Sequence, residues 1–412
     1  MIAVISFLIY TLISVSFVCT VGAPQKDTSG QSHPRRKQIL HILECVILFA
    51  LLYTFYNVFC TLTTPTMGYD RTSYTIDFES GASSAKTPGL RAIFAIIKFF
   101  GGNIYAVFYF STFFFTAVSV WAFFYTGLHN RYALTLFVLT DIIFFSFTAL
   151  KQIYACAFAV ILFAVAQKKT TLPRVLICLS AVALACLFHN AALILIPTYP
   201  LLLLCKSRHL KGWQLFTLIG LLLLSVLFLD QIAMLVARLV EPIKPSISSK
   251  IIEYFTKEDG SWNKAVVLKG LPYYLIVLFG IRKRSRLREQ IANYDMLLMM
   301  SALGAAMYLA SIQSYWMYRT TEFYVFPICI FFGQLAQATV QEIRHRLPNE
   351  PAVPAESEPF SAKLRRRCVA GGHFLGAGVR SLSFWVCAGV YVSAFAVLAR
   401  WLALIYLNYG GF

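Results

Sequence analysis

Long apolar runs separated by short polar stretches recur along almost the whole chain. Runs of about 17 to 25 residues are long enough to cross the ~30 Å hydrocarbon core of a bilayer as helices. The pattern therefore predicts an all-α, polytopic membrane protein with about twelve transmembrane helices, in a single integral membrane domain over residues 1–412. We place the spans at Met1–Val21, Ile39–Leu62, Ile104–Tyr125, Ala133–Leu150, Ile153–Ala166, Val175–Phe188, Ala191–Cys205, Gln214–Leu229, Val266–Ile281, Met296–Ser311, Phe323–Ala338 and Phe384–Ile405.

Three stretches outside these spans are polar enough to lie in water or at the membrane surface. Residues 61–103 form a first segment that we expect on the periplasmic side, with an amphipathic helix over Leu90–Phe100 lying along the interface. Residues 230–264 form a second such segment, and residues 341–380 a basic cytoplasmic linker. Met1–Val21 is interpreted as a retained helix, with a cleaved signal peptide as the alternative.

Composition supports the membrane assignment and changes the meaning of the charge. The chain is 58% hydrophobic and 13% charged, with a mean hydropathy of +0.68, which excludes an ordinary soluble domain. A net charge of +18 would suggest nucleic acid in a soluble protein, but here the Lys and Arg residues concentrate in alternate loops. The positive-inside rule explains that bias, places those loops in the cytoplasm and removes the need for a nucleic-acid partner.

The ten cysteines indicate neither a disulfide framework nor a metal site. They lie mostly within apolar runs and include no CxxC pair. We expect small core residues, no metal and no cofactor.

The unusual polar residues fall on one side of this predicted topology, at or just inside the outer membrane boundary. A Lys near the bilayer centre costs at least ~2.5 to 3.5 kcal/mol on insertion scales, so such groups normally line a cavity or lie at an interface. Cations that neutralise phosphoryl oxygens, beside an acid or imidazole that handles a hydroxyl proton, suit a lipid-linked phosphate or diphosphate. The polar residues at this boundary are Asp70, Arg71, Tyr74, Lys151, Gln152, His189, Asn190, Tyr318, Arg319 and Glu322.

Each candidate also has a plainer interpretation. Lys151 and Arg319 fit side chains that extend to the interface from ordinary spans. His189 with Asn190 fits a tight helix connection, and Asp70 a turn residue. Asp141, in the middle of a predicted span, fits a carboxylate paired with a neighbour. The set as a whole is more informative than any member.

A family resemblance rests on five blocks in order along the chain. They are Gly68-Tyr-Asp-Arg-x-x-Tyr74, Pro88-Gly89 followed by Ile97-Lys-Phe-Phe-Gly101, Phe147-Thr-Ala-Leu-Lys-Gln-x-x-Ala155, Leu187-Phe-His-Asn-x-Ala-Leu193 with Pro197, and Tyr318-Arg-x-x-x-x-Tyr324. Over about residues 57–336, this order resembles the EpsG/Wzy-type polysaccharide polymerase family. The family usually has Arg-Gln where this chain has Lys151-Gln152, and commonly Glu where it has Thr87.

The resemblance implies a bacterial inner-membrane glycosyltransferase of the GT-C kind, with its active site facing the periplasm. Such an enzyme joins oligosaccharide repeat units carried on undecaprenyl diphosphate, which serve as both donor and acceptor, and membrane lipids and a chain-length regulator are further partners. Asp70, His189 and Arg319 are then the catalytic candidates, with Asp70 or His189 as the base. The candidates for binding substrate and diphosphate are Arg71, Tyr74, Lys151, Gln152, Asn190, Tyr318 and Tyr324.

Three other functions fit part of the pattern. A polysaccharide ligase or another lipid-phosphate-dependent GT-C enzyme shares almost all of it. A transporter or flippase of lipid-linked sugars would favour inverted repeats and charges near the midplane, whereas the polar groups here cluster near one face. A receptor or assembly scaffold would leave His189 and Arg319 dispensable.

Overall fold

The computed structural model describes residues 43–54, 57, 69–81, 87–128, 130–140, 142, 149–207, 210–242, 245–256, 269–311, 317–345 and 385–396. Every regular element in these ranges is helical, so the all-α prediction is confirmed there. The predicted first span, Asp141 and most of the predicted linker at 341–380 lie outside the described residues.

Sixteen α-helices and two 3-10 helices make up the described part of the chain. The α-helices are α1 Leu43–Thr54, α2 Tyr69–Ser80, α3 Pro88–Phe99, α4 Ile104–Thr126, α5 Arg131–Leu139, α6 Leu150–Ala166, α7 Leu172–Phe188, α8 Leu195–Ser207, α9 Gly212–Leu227, α10 Leu229–Val240, α11 Pro245–Thr256, α12 Leu271–Leu287, α13 Tyr294–Ala310, α14 Tyr318–Thr321, α15 Val325–His345 and α16 Trp385–Ala396. The 3-10 helices are Asn190–Ile194 and Glu322–Tyr324.

Two of these helical stretches are each long and apolar enough to cross a membrane alone, namely Ile104–Thr126 and the continuous Arg319–Ile343. The bent pair α9 and α10 makes a third if it counts as one span. Other apolar helices in the described ranges have 10–17 residues. The protein is a helical membrane protein, while the number of about twelve spans and the GT-C arrangement stay predictions.

The centre of the bundle is formed by α6, α13 and α15, in which most side chains are buried and most of the buried ones are apolar. Nearly every side chain of α6 is buried, between α4 and α7, and α15 is enclosed by α5 and α13. A helix that is apolar all round belongs in such a position. By contrast, α7 exposes large aliphatic side chains such as Leu172, Leu176 and Leu187 along its outer face, as expected for a face turned to lipid.

The bundle has two ends, which can be traced from α6. At its C-terminal end, Lys206 Nζ donates a hydrogen bond to the Ala166 carbonyl at 2.6 Å and another to the Lys168 carbonyl. Positive groups suit helix C-termini because the last carbonyls lack backbone partners. We call this end, which also contains Arg284 and Asp295, the basic end. The opposite end contains Asp70, Gln152 and Arg319, and we call it the site end.

Candidate functional site

The first side of the site is α2, which folds from the polar segment predicted to be periplasmic. Asp70 lies in its first turn, where the helix dipole favours a carboxylate. Arg71 and Tyr74 are one turn apart and both buried, at 1% and 5% exposed. The Arg71 guanidinium lies 4.1 Å from the ring centroid of Phe108 on α4. Arg71 therefore joins α2 to the bundle, while Asp70 remains partly accessible.

An ion pair connects α2 with α14. Arg319 Nη2 lies 3.4 Å from Asp70 Oδ2, and the two side chains are 23% and 34% exposed. The residues are 249 positions apart in sequence. At this distance and exposure the contact is a weak one.

The first turn of α6 supplies two neighbouring side chains with different functions. Gln152 Nε2 donates a hydrogen bond to the backbone carbonyl of Arg319 at 2.6 Å, and Gln152 is buried. This bond fixes the main chain of α14 independently of the Arg319 side chain. Lys151 lies instead over Tyr74, with Nζ 5.5 Å from the ring centroid. Lys151 thus adds positive charge on the side where α2 meets α6.

Tyr74 is a neutral hydroxyl within this cluster. Burial raises its pKa, and the Asp70 carboxylate adds to the rise. A hydrogen bond between the Tyr74 side chain and the Lys151 backbone opposes that rise. At neutral pH Tyr74 is therefore protonated. Its hydroxyl takes part in a hydrogen bond, and its ring packs under the Lys151 ammonium.

His189 occupies the break between α7 and the first 3-10 helix, where its backbone is extended, with φ −146° and ψ 127°. Its Nδ1 accepts a hydrogen bond from the Ala191 backbone N–H at 3.1 Å. In the neutral imidazole the proton is then on Nε2, which is left as a donor. Burial, Lys151 and Arg319 together lower the pKa of His189 to about 4. The side chain therefore stays neutral at pH 7.

Phe188 and Gly89 explain how this break is positioned. The Phe188 ring stacks on Tyr154, with centroids 4.8 Å apart and planes at 28°, and it also contacts Phe158. A Cβ atom at Gly89 would lie only 2.8 Å from the Phe188 ring. The Pro88-Gly89 pair thus lets the start of α3 approach the ring that precedes His189. The pair belongs to the blocks that carry the family resemblance, but nothing in its sequence indicates the contact with Phe188.

The remaining predicted site residues are placed differently. Asn190 is exposed beside His189, and the Tyr318 side chain lies outside the described part of the structure. Tyr324 is fully buried below the cluster, and its hydroxyl shares a 2.8 Å hydrogen bond with Thr198. Tyr324 therefore connects α8 to the start of α15, away from the polar cluster.

Glu322 is a residue that the sequence argument named at the outer boundary but did not assign to the site. It is 1% exposed and lies near Cys156 on α6 and Cys329 on α15. The sequence does contain a signal for its position: Glu322 follows Arg319 by three residues, and residues three apart lie on the same face of a helix. Within the described residues, no group of three or more His, Cys, Asp or Glu side chains is placed to hold a metal ion.

The structure therefore brings Asp70, Tyr74, Lys151, Gln152, His189 and Arg319 together at one end of the bundle, although their roles stay predictions. No curated protein and no solved structure matches the chain. The EpsG family profile matches residues 46–346, which is well over half of the chain and includes all of these residues. The chain thus belongs to the EpsG family.

Proposed function

We propose that the protein is a glycosyltransferase that polymerises oligosaccharide repeat units carried on a lipid diphosphate. Membership of the EpsG family supports a polymerase-like activity. The observation that carries the finer proposal is the weak Asp70–Arg319 pair, with Lys151 and His189 beside it. It combines a proton acceptor, two cations and a neutral hydrogen-bond donor in one accessible cluster.

Arg319 and Lys151 are assigned to the leaving diphosphate. An Arg guanidinium can bind two phosphoryl oxygens at once, whereas a Lys ammonium acts as a compact charge. Stabilising charge that develops in the transition state is usually the largest single contribution to catalysis. Because Gln152 holds the Arg319 backbone, the guanidinium can exchange Asp70 for a phosphate without moving the main chain.

Asp70 is assigned as the base and His189 as a donor. When the diphosphate occupies Arg319, Asp70 is released to accept the proton of a sugar hydroxyl on the acceptor unit. That hydroxyl oxygen forms a bond to the anomeric carbon of the donor, and the bond from this carbon to the diphosphate oxygen breaks. The electron pair leaves with the diphosphate. His189 Nε2–H donates to the diphosphate or the donor sugar, since Nδ1 is already occupied by Ala191 N–H.

The location of the site is part of the same proposal. The basic end carries Lys168, Lys206 and the Arg-rich end of α12, and the positive-inside rule assigns such an end to the cytoplasm. The site end then faces the periplasm of a bacterial inner membrane. Undecaprenyl diphosphate, as the carrier of both donor and acceptor, fits this location and a site that contains cations.

Removal of the gene tests the proposal. If the protein is the polymerase, surface polysaccharide disappears and single lipid-linked repeat units accumulate on the periplasmic side. Accumulation of long lipid-linked chains indicates a ligase instead, and accumulation of single units on the cytoplasmic side indicates a flippase. Unchanged polysaccharide contradicts all three.

Replacement of Lys151 tests the assigned cation. Lys151→Arg keeps the charge, so we expect a glycan ladder of near-normal length when this variant complements the deletion. Lys151→Ala removes the charge, so single units should persist at equal protein levels. Equal ladders from the two variants would show that the ammonium does not contribute.

A further inference from the structure

Helix α10 turns sharply away from the helix that precedes it. The axes of α9 and α10 differ by 74°, with the break at Phe228. The turn lies at the site end, because Val226 forms a small core with Ala306 and Ala310 of α13, and Leu229 and Met317 pack against it. Met317 is two residues before Arg319, so α10 begins next to the segment that carries the guanidinium.

The surface of α10 has three sectors instead of the usual two. Ala233 and Ala237 are buried, and the helix packs on α11. A polar edge exposes Gln231, Arg238 and Glu241. An outward-facing apolar stripe lies between these two sectors. It consists of four side chains at positions i, i+3, i+4 and i+7, which are 41% to 64% exposed: Ile232, Leu235, Val236 and Leu239.

Water is an unfavourable environment for such a stripe. Burying one aliphatic side chain of this size contributes ~1.5 to 3 kcal/mol, and four neighbouring ones are seldom left in water. The stripe continues an exposed apolar face of α9 that includes Leu224, Leu227 and Phe228. α9 itself is 16 residues of almost continuously apolar sequence, and only together with α10 does it form a bent pair long and apolar enough for a broken span. The medium that covers the stripe on α10 is therefore the one that covers the adjoining face of α9, which is lipid.

We propose that α10 lies in the plane of the bilayer at the site end, with Ile232, Leu235, Val236 and Leu239 in the acyl chains and Arg238 at the headgroups. A polar face beside an apolar stripe is typical of helices at a membrane interface. The partner is the lipid surface itself. Leu229 at the start of α10 and Met317 pack against the same small core of Val226, Ala306 and Ala310, so this placement of α10 brings Arg319 close to the level of the headgroups. The inference requires only that the chain spans a membrane, and it is independent of the proposed reaction.

Photocrosslinking from the full-length protein tests this inference. Leu235, Leu239, Gln231 and Glu241 are replaced, one at a time, by p-benzoylphenylalanine, and each variant is reconstituted in vesicles of phosphatidylethanolamine and phosphatidylglycerol. Illumination should give several-fold more phospholipid adduct at positions 235 and 239 than at 231 and 241, as measured by mass spectrometry of the digested protein. Position 224 on α9 serves as the lipid-facing reference.

Two outcomes overturn the inference. Equal adduct at all four α10 positions would mean that the stripe does not face lipid in preference to the polar edge. Crosslinks from 235 and 239 to a second copy of the chain, seen as a dimer band on a denaturing gel, would make the stripe a protein interface. The position 224 variant shows in either case that the vesicles and the photochemistry work.

Discussion

The two ends of the bundle hold their charges in opposite ways. At the basic end, Arg284 binds both oxygens of Asp295 at 2.7 and 2.8 Å and also the Leu210 carbonyl at 2.5 Å, and Asp295 is 5% exposed. At the site end, Arg319 makes one contact with Asp70 at 3.4 Å, and both side chains are partly accessible. The first guanidinium is held at short distance in a buried pair, whereas the second meets its carboxylate at a single long distance in a partly exposed position.

The difference separates a structural charge from a functional one. Breaking a buried, bidentate pair strands a charge in a poorly solvated place, which is strongly destabilising. A partly exposed pair at long distance contributes little to folding. The basic end is therefore expected to control stability, and the site end activity.

The largest expected effect is on stability at the basic end. Arg284→Ala leaves the buried Asp295 with only Arg288, whose Nε lies 3.3 Å from Oδ2, so the loss in free energy of unfolding should approach but not reach the loss of about 3 to 5 kcal/mol expected for a fully stranded charge. Arg286→Ala on the same helix is the matched control, because this side chain is 59% exposed in its pair with Glu342 and should cost about 0 to 1 kcal/mol. Melting temperatures in detergent measure both. Similar melting temperatures for the two variants would remove the distinction between the ends.

Next in size is a loss of activity at the site end. Arg319→Ala should slow chain lengthening about 100- to 1000-fold, as for other charge-stabilising groups, with a melting temperature within about a degree or two of the wild type because the pair contributes ~0 to 1 kcal/mol. The assay follows glycan ladder length in reconstituted vesicles. Arg319→Lys, which keeps charge but loses the two-pronged geometry, should fall between. An Arg319→Ala protein as unstable as Arg284→Ala would assign Arg319 to structure.

A smaller effect tests whether His189 acts as a hydrogen-bond donor or as the general base. A general base contributes about 100- to 10,000-fold, and neither Gln nor Ala could replace it. Gln can still donate a hydrogen bond, so His189→Gln should keep most of the polymerisation rate while His189→Ala loses it. Since the pKa of His189 is lowered to about 4, it is neutral at every pH above about 5. The pH profile of the Gln variant should therefore match that of the wild type between pH 5 and 8.

Two results would argue against that assignment. Equal inactivity of the Gln and Ala variants, at normal protein levels, would favour His189 as the base. The same conclusion would follow if the wild-type pH profile had an inflection near pH 6.5 that the profile of the Gln variant lacks.

The smallest predicted effect concerns Gly89. A Cβ there meets the Phe188 ring at 2.8 Å, so Gly89→Ala should cost about 1 to 3 kcal/mol through overpacking and reduce activity through the displaced His189. Gly220→Ala on α9 is the control, because its Cβ meets nothing within 4 Å and should stabilise the helix by about 0.5 to 1 kcal/mol. Adding Phe188→Leu to Gly89→Ala should recover part of the melting temperature. No recovery would mean that the ring is not the obstacle.

Apolar periodicity anticipated much of the architecture. The predicted ends of the spans at Ala166 and Phe188 coincide with the ends of α6 and α7, because a polar break after an apolar run marks a helix terminus in lipid as well as in water. The juxtaposition of Asp70 with Arg319 was expected only as a shared membrane side. Hydropathy indicates how deep a residue lies in the membrane, but not which helices pack beside its own. The partner of Arg319 could therefore not be identified from the sequence.

Two features were missed for physical reasons. The stretch 230–264 has mixed polarity, and its assignment as a second periplasmic segment stays a prediction; the helices α10 and α11, which fill much of it, were not anticipated. The mean hydropathy of a helix with buried, exposed apolar and polar sectors is only moderate, so its sequence resembles that of a loop. The contact of Gly89 with Phe188 joins residues 99 positions apart and depends on the absence of a side chain, which no periodicity records.

The Asp70–Arg319 contact also has a consequence for biogenesis. Its two members are 249 residues apart, so at about 5 to 20 residues per second the ribosome needs roughly 12 to 50 s between them. During that interval the helices from α2 to α13 emerge and can enter the membrane without a complete charge cluster. If the cluster binds the lipid-linked substrate as proposed, a nascent chain gains this capacity only once the last third of the protein is made.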